Sequence, residues 1–142
     1  MKFYTQSGRQ IHYYNEGITK IDMLFVECLE NYSISTTYEK GKKNYNYENN
    51  PTYRQCCITA MIFQDRFGGT IHKIDYLFGE THYFNKLNNK YYDLTSDQLD
   101  IYNIKVDYKK NKVVDRNELN KVQILNDKYN ILKNNILKNE RG

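Results

Sequence analysis

At 142 residues, with 39% hydrophobic and 27% charged side chains, the chain is long enough for one buried core and too apolar for a disordered tail. Three cysteines are an odd number and a poor disulfide framework, and no apolar run approaches the ~20 residues of a membrane span. The net charge of +4 is modest, and its one dense cluster, Lys40-Gly41-Lys42-Lys43, reads as solvated surface rather than a nucleic-acid footprint.

The N-terminal segment turns polar too early for a signal peptide, so a cytoplasmic protein is expected. Phe3-Tyr4-Thr5 and Ile11-His12-Tyr13-Tyr14 flank a turn signal at Ser7-Gly8 and predict a hairpin over 1–16. Residues 20–31 read as a helix, with Thr19 as its N-cap. Ile21, Leu24, Phe25, Cys28 and Leu29 recur at helical spacing as one apolar stripe. Cys28 lies on that stripe and is assigned to the core. Residues 39–51 are polar and without period, and they end in the single proline; they read as a long surface loop.

A second helix is predicted from Gln55 to about Phe67. Cys56, Cys57, Ile58, Ala60, Met61, Ile62, Phe63 and Phe67 make it apolar nearly all round, the mark of a central helix. Gly68-Gly69 stops it, and Thr70–Ile74 alternates like a strand. Residues 81–87 and 90–95 form the clearest hairpin. Asn88-Asn89 between them tolerate the positive φ that a two-residue turn requires. Ile101–Tyr108 reads as a further strand. A last helix begins near Asp115, with Glu118 completing a capping-box signal. Leu119, Val122, Leu125, Tyr129, Leu132 and Ile136 form its stripe. The fold class is α+β: a central helix packed on a small antiparallel sheet, with a C-terminal helix, in one domain spanning 1–142.

One constellation stands above this background: Gln55-Cys56 at a helix start, His82 at a strand start and Asp93 in the next strand. A thiol reacts as thiolate, which the unpaired N–H groups and dipole of a helix N-terminus stabilise. The same N–H groups donate hydrogen bonds to the oxyanion of an attacked carbonyl. A neighbouring imidazole takes the thiol proton, and a carboxylate on its other nitrogen fixes the tautomer. Hairpin parity supports the last pair. With Asn88 and Asn89 as the only turn residues, position 84 faces 93 and position 82 faces 95. His82 and Asp93 are then diagonal neighbours on one face, on the order of 7 Å apart at the backbone. The bland readings are that Cys56 and Cys57 are core, that His82 is structural and that Asp93 caps the turn at Ser96. His12 and His72 receive no role. Adjacent cysteines fail the C-x₂₋₄-C spacing of structural zinc sites, so no metal or other cofactor is expected.

These residues also carry a resemblance. Asn50–Ala60 around Gln55-Cys56, Gln64–Gly69, Thr81-His82-Tyr83-Phe84-Asn85 and Tyr92-Asp93-Leu94-Thr95 resemble the bacterial YunG-like family from about residue 20 to 135, leaving 1–18 as an extension. The family usually carries Gly where Arg54 stands. The order Cys, His, Asp on helix, strand and strand is similar to papain-like and transglutaminase-like thiol hydrolases. That resemblance implies a minimal papain-like architecture with Cys56 as nucleophile, His82 as base, Asp93 as its orienter and Gln55 as an oxyanion contributor. The implied function is thiol-dependent hydrolysis or acyl transfer at an amide, isopeptide or thioester carbonyl, with a peptide or acyl-type substrate. The alternative is a non-catalytic interaction module of the same fold, docking a partner on the apolar stripe of the last helix.

Overall fold

A computed structural model describes residues 20–33, 35–36, 55–76, 80–95 and 107–141, and the backbone of four two-residue strands before them. Those strands are β1 (Phe3–Tyr4), β2 (Gln10–Ile11), β3 (Tyr13–Tyr14) and β4 (Gly17–Ile18). β1 pairs antiparallel with β2, and β3 with β4. The expected single hairpin is thus two: Ile11 faces Phe3, while Tyr13-Tyr14 turn to Gly17-Ile18. The Thr19 cap and the 39–51 loop lie outside the described residues.

Helix α1 (Lys20–Asn31) buries the stripe read from its sequence, with Leu24, Phe25 and Cys28 at its centre. Helix α2 (Cys56–Phe67) is buried at six consecutive positions from Ile58 to Phe63, so it has no solvent face along that stretch. α1 lies against α2, tied by Tyr32 and Thr59, whose hydroxyls are 2.5 Å apart, and by an Arg66–Glu27 ion pair at 2.7 Å. Gly68 and Gly69 both take positive φ, +83° and +77°, and end α2 through a Gly68 N–H bond to the Gln64 carbonyl. At Gly69 glycine is also required sterically, since a Cβ there would stand 2.2 Å from the Lys86 carbonyl oxygen.

The sheet follows: β5 (Thr70–Tyr76), β6 (Glu80–Leu87), β7 (Lys90–Tyr92) and β8 (Lys112–Val114), all antiparallel, in the order β7-β6-β5-β8. Asn88 (φ 51°) and Asn89 (φ 66°) form the two-residue turn, and Leu87 pairs with Lys90. The register is the one that hairpin parity predicts. β7 is shorter than expected, ending at Tyr92 rather than Thr95.

Of the strand expected over 101–108, residues 101–106 lie outside the described residues, and Tyr108 opens a 3₁₀ turn, Tyr108–Lys110, stapled by the Asp107 side chain accepting from the Lys109 N–H. β8, three residues too short to show a period, pairs with β5. One expectation toward the C-terminus is corrected. The last helix is two: α3 (Arg116–Asn120), capped by Asp115, and α4 (Gln123–Arg141). The Asn126 amide donates to the carbonyls of Leu119, Asn120 and Val122, bridging the two sides of the break. Val122, at the break, is exposed, whereas Leu119, Tyr129, Leu132 and Ile136 are buried in the same core as α1 and α2.

The two faces of the sheet differ. Ile71, Tyr83, Asn85, Leu87 and Tyr92 turn toward α2: Phe63 lies against Tyr92, ring centroids 5.7 Å apart, and Asn85 bonds the Ala60 carbonyl. By strand alternation His72, Ile74, His82, Phe84 and Asp93 occupy the opposite face. The fold is α+β, with α2 held between the sheet and the pair α1 and α4.

Candidate functional site

The structure brings Cys56, His82 and Asp93 into one hydrogen-bonded chain. His82 is buried, and its Nε2 lies 2.7 Å from Asp93 Oδ2. With Nε2 engaged, Nδ1 is the ring nitrogen left to meet the thiol, and the Cys56 and His82 side chains are hydrogen-bonded to each other. Cys56 is the first residue of α2 and is half-buried.

The body of α2 packs on the face opposite His82, so the contact is made around the edge of β6. Leu87 and Lys90 flank the tight turn, which makes alternate β6 residues, Leu87, Asn85 and Tyr83, point their backbone groups toward β7. The ladder stops at Asn85 and Tyr92, and the next amide along that edge, Tyr83 N–H, hydrogen-bonds the Cys56 sulfur. The early end of β7 is what lets the helix start reach the strand.

The ionisation of the pair follows from these contacts. Burial pushes the Cys56 thiol up. The hydrogen bond from His82, the imidazolium charge and the Tyr83 N–H together outweigh burial and a smaller opposing effect of Asp93, leaving the thiol below its ordinary value. Burial pulls His82 down, but the charge and hydrogen bond of Asp93, reinforced by Cys56, raise it to about 10. Both shifts favour a thiolate–imidazolium pair. The other two thiols move the opposite way. Burial holds Cys57 well above the ordinary thiol range and pushes Cys28 up to about 12.

The Gln55 side chain is fully buried, and its amide Nε2 donates to the Ser33 carbonyl at 3.3 Å, across to the segment after α1. The Gln55 backbone carbonyl accepts from the Thr59 hydroxyl at 2.7 Å. Tyr108 is the site residue that sequence reasoning missed. Its hydroxyl donates to Asp93 Oδ2 at 2.5 Å, the same oxygen that meets His82. In a chain with 15 tyrosines nothing local marks this one. Phe84 backs the assembly, its ring 6.3 Å from His82 and 5.3 Å from Tyr108. His72 has both ring nitrogens engaged, Nε2 with Thr70 at 2.7 Å and Nδ1 with Asn111 at 2.8 Å, as a structural histidine.

A family model described as YunG protein matches residues 20–141. The chain belongs to the YunG family. The matched span leaves out the first 19 residues and contains Cys56, His82, Asp93 and Tyr108. A curated relative, the uncharacterised protein YunG of Bacillus subtilis (strain 168), is 35% identical over 69 residues, covering 47% of this chain and 57% of that protein. The chain thus matches little more than half the length of this YunG relative. No solved structure matches the chain. Among the described residues no helix is long and apolar enough to cross a membrane, and no group of three or more His, Cys, Asp or Glu is arranged to hold a metal ion.

Proposed function

We propose that this protein is a thiol-dependent hydrolase or acyltransferase acting on an amide, isopeptide or thioester carbonyl through Cys56, His82 and Asp93. The observation that carries this reading is the continuous chain of side-chain hydrogen bonds from the Cys56 sulfur through the His82 ring to Asp93 Oδ2. The order of these residues on helix, strand and strand is that of papain-like enzymes, and the reading extends the likeness to a minimal papain-like architecture. Function does not follow from family membership here, because the YunG relative is itself uncharacterised.

In the proposed cycle the Cys56 thiolate adds to the carbonyl carbon, and the carbonyl π electrons move to oxygen. His82 imidazolium protonates the leaving nitrogen or sulfur as its bond to carbon breaks, leaving a thioester on Cys56. Neutral His82 then takes a proton from water, or from an acceptor nucleophile, as it attacks the thioester, and thiolate and imidazolium are restored. Asp93 keeps Nε2–H donated away from the sulfur and stabilises the imidazolium. The N–H groups in the first turn of α2 receive the oxyanion. Gln55 supports the α1–α2 junction from behind the nucleophile, since its amide bonds Ser33.

Alkylation with iodoacetamide at pH 6.5, mapped by mass spectrometry, tests the reading. Cys56 is expected to react first, Cys57 slowly, and Cys28 hardly at all while the protein is folded. A simple thioester should then leave an acyl adduct on Cys56 that Cys56→Ser abolishes. Equal, slow labelling of all three cysteines, or labelling of Cys57 first, overturns it and favours the non-catalytic module.

A further inference from the structure

Two residues beyond Tyr83 on β6, Asn85 is 2% exposed, on a face it shares with Ile71, Tyr83, Leu87 and Tyr92. Its Nδ2 donates to the Ala60 carbonyl at 2.9 Å. That oxygen lies in the middle of α2, where helix geometry already supplies the Gln64 N–H as its donor. The bond therefore fills no gap in the helix. A buried amide costs stability relative to an apolar side chain unless its bonds are made, and its return is directional.

The direction is set by matching steps. Ala60 is one turn along α2 from Cys56, an advance of about 6 Å. Asn85 is two residues along β6 from Tyr83, an advance of about 6.7 Å. Tyr83 N–H on the Cys56 sulfur and Asn85 Nδ2–H on the Ala60 oxygen are thus two rungs between the same helix and the same strand. His82 immediately precedes Tyr83. Apolar contacts alone let a helix slide along a strand; two rungs one turn apart do not.

We propose that Asn85 is a positioning residue whose bond to the Ala60 carbonyl fixes the slide of α2 along β6 and so holds the Cys56 sulfur against His82. This rests on the reading of Cys56 as an ionised nucleophile. The charged and titratable groups acting on Cys56 are His82 and Asp93; Arg116, from α3, acts on its neighbour Cys57. Asn85→Leu leaves all of them in place.

The test is the rate of iodoacetamide alkylation of Cys56 between pH 5 and pH 10, measured with the melting temperature. Asn85→Leu is expected to move the midpoint of the profile upward by at least one pH unit. Leu132→Ala, in the buried part of α4 away from this dock, should lower the melting temperature and leave the midpoint alone. Where Asn85→Leu folds poorly, Asn85→Val, a better strand former, provides the same readout. A low wild-type midpoint that the Asn85 variants retain overturns the positioning role and leaves the proposed function standing. A wild-type midpoint in the ordinary thiol range, about 8.5, overturns both.

Discussion

Removing the His82 ring separates an ionised nucleophile from a buried structural thiol. In His82→Ala the sulfur loses the hydrogen bond and the charge that offset its burial, so its titration returns to the ordinary range, about 8.5, or above it. At pH 6.5 about one thiol in a hundred is then thiolate, and the wild type, whose thiol lies below its ordinary value, holds a larger share. That gain is not read out in full. A more basic thiolate is the better nucleophile, and a Brønsted slope of about 0.5 returns roughly half of the effect on a logarithmic scale. Each pH unit by which His82 lowers the thiol is therefore worth about threefold in the alkylation rate at pH 6.5, and His82→Ala loses that advantage. At pH 9.5 the variant is mostly thiolate, and its rate should equal or exceed that of the wild type. The crossing is the diagnostic feature. Melting temperature alone is not, because His82 is 1% exposed and stacks near Phe84, so its truncation leaves a cavity whatever its role. A profile for His82→Ala that runs parallel to the wild type from pH 6 to pH 9.5 refutes the reasoning.

Two further outcomes concern stability. In the folded state Asp93 raises His82 from its ordinary value of 6.5 to about 10, and His82 holds the Cys56 thiol below its ordinary value. The His82 contribution to stability is therefore fully present below pH 6.5 and lost as pH rises to about 10, while the Cys56 contribution is fully present above the ordinary thiol value of 9.0 and lost as pH falls below it. Between pH 9.0 and 10 only the imidazole still changes its protonation, so the pair's contribution should fall there. Urea denaturation of wild type and a Cys56→Ala, His82→Ala double variant checks it; a difference that stays level or rises between pH 9.0 and 10 contradicts the raised imidazole. At the end of α2, Gly68→Ala meets open space and should cost only the left-handed conformation, about 1–2 kcal/mol, whereas Gly69→Ala also drives a methyl into the Lys86 carbonyl and should cost roughly 2–4 kcal/mol. Equal losses for the two in thermal denaturation would show that the α2–β6 approach is slack.

The features legible in the sequence are those that the backbone carries over short distances. The α1 stripe placed Cys28 in the core because a 3.6-residue period maps directly onto one helix face. The width of the α2 apolar pattern told of a helix covered on every side. Asn88-Asn89 specified a two-residue turn, and a tight turn transmits register without reference to anything else, so the pairing of His82 with Asp93 could be counted in advance. Packing decided the rest. Cys56 meets His82 only because β7 ends at Tyr92 and exposes the Tyr83 N–H at the edge of β6. Tyr108 reaches Asp93 from a 3₁₀ turn beyond the hairpin, and the Gln55 amide donates to the Ser33 carbonyl after α1. β8 is three residues long, and the break between α3 and α4 is capped by an asparagine seven residues from one of its acceptors. None of these contacts has a local periodicity. Each depends on how far one element slides or extends against another, and side-chain packing and buried hydrogen bonds set that distance after the elements have formed.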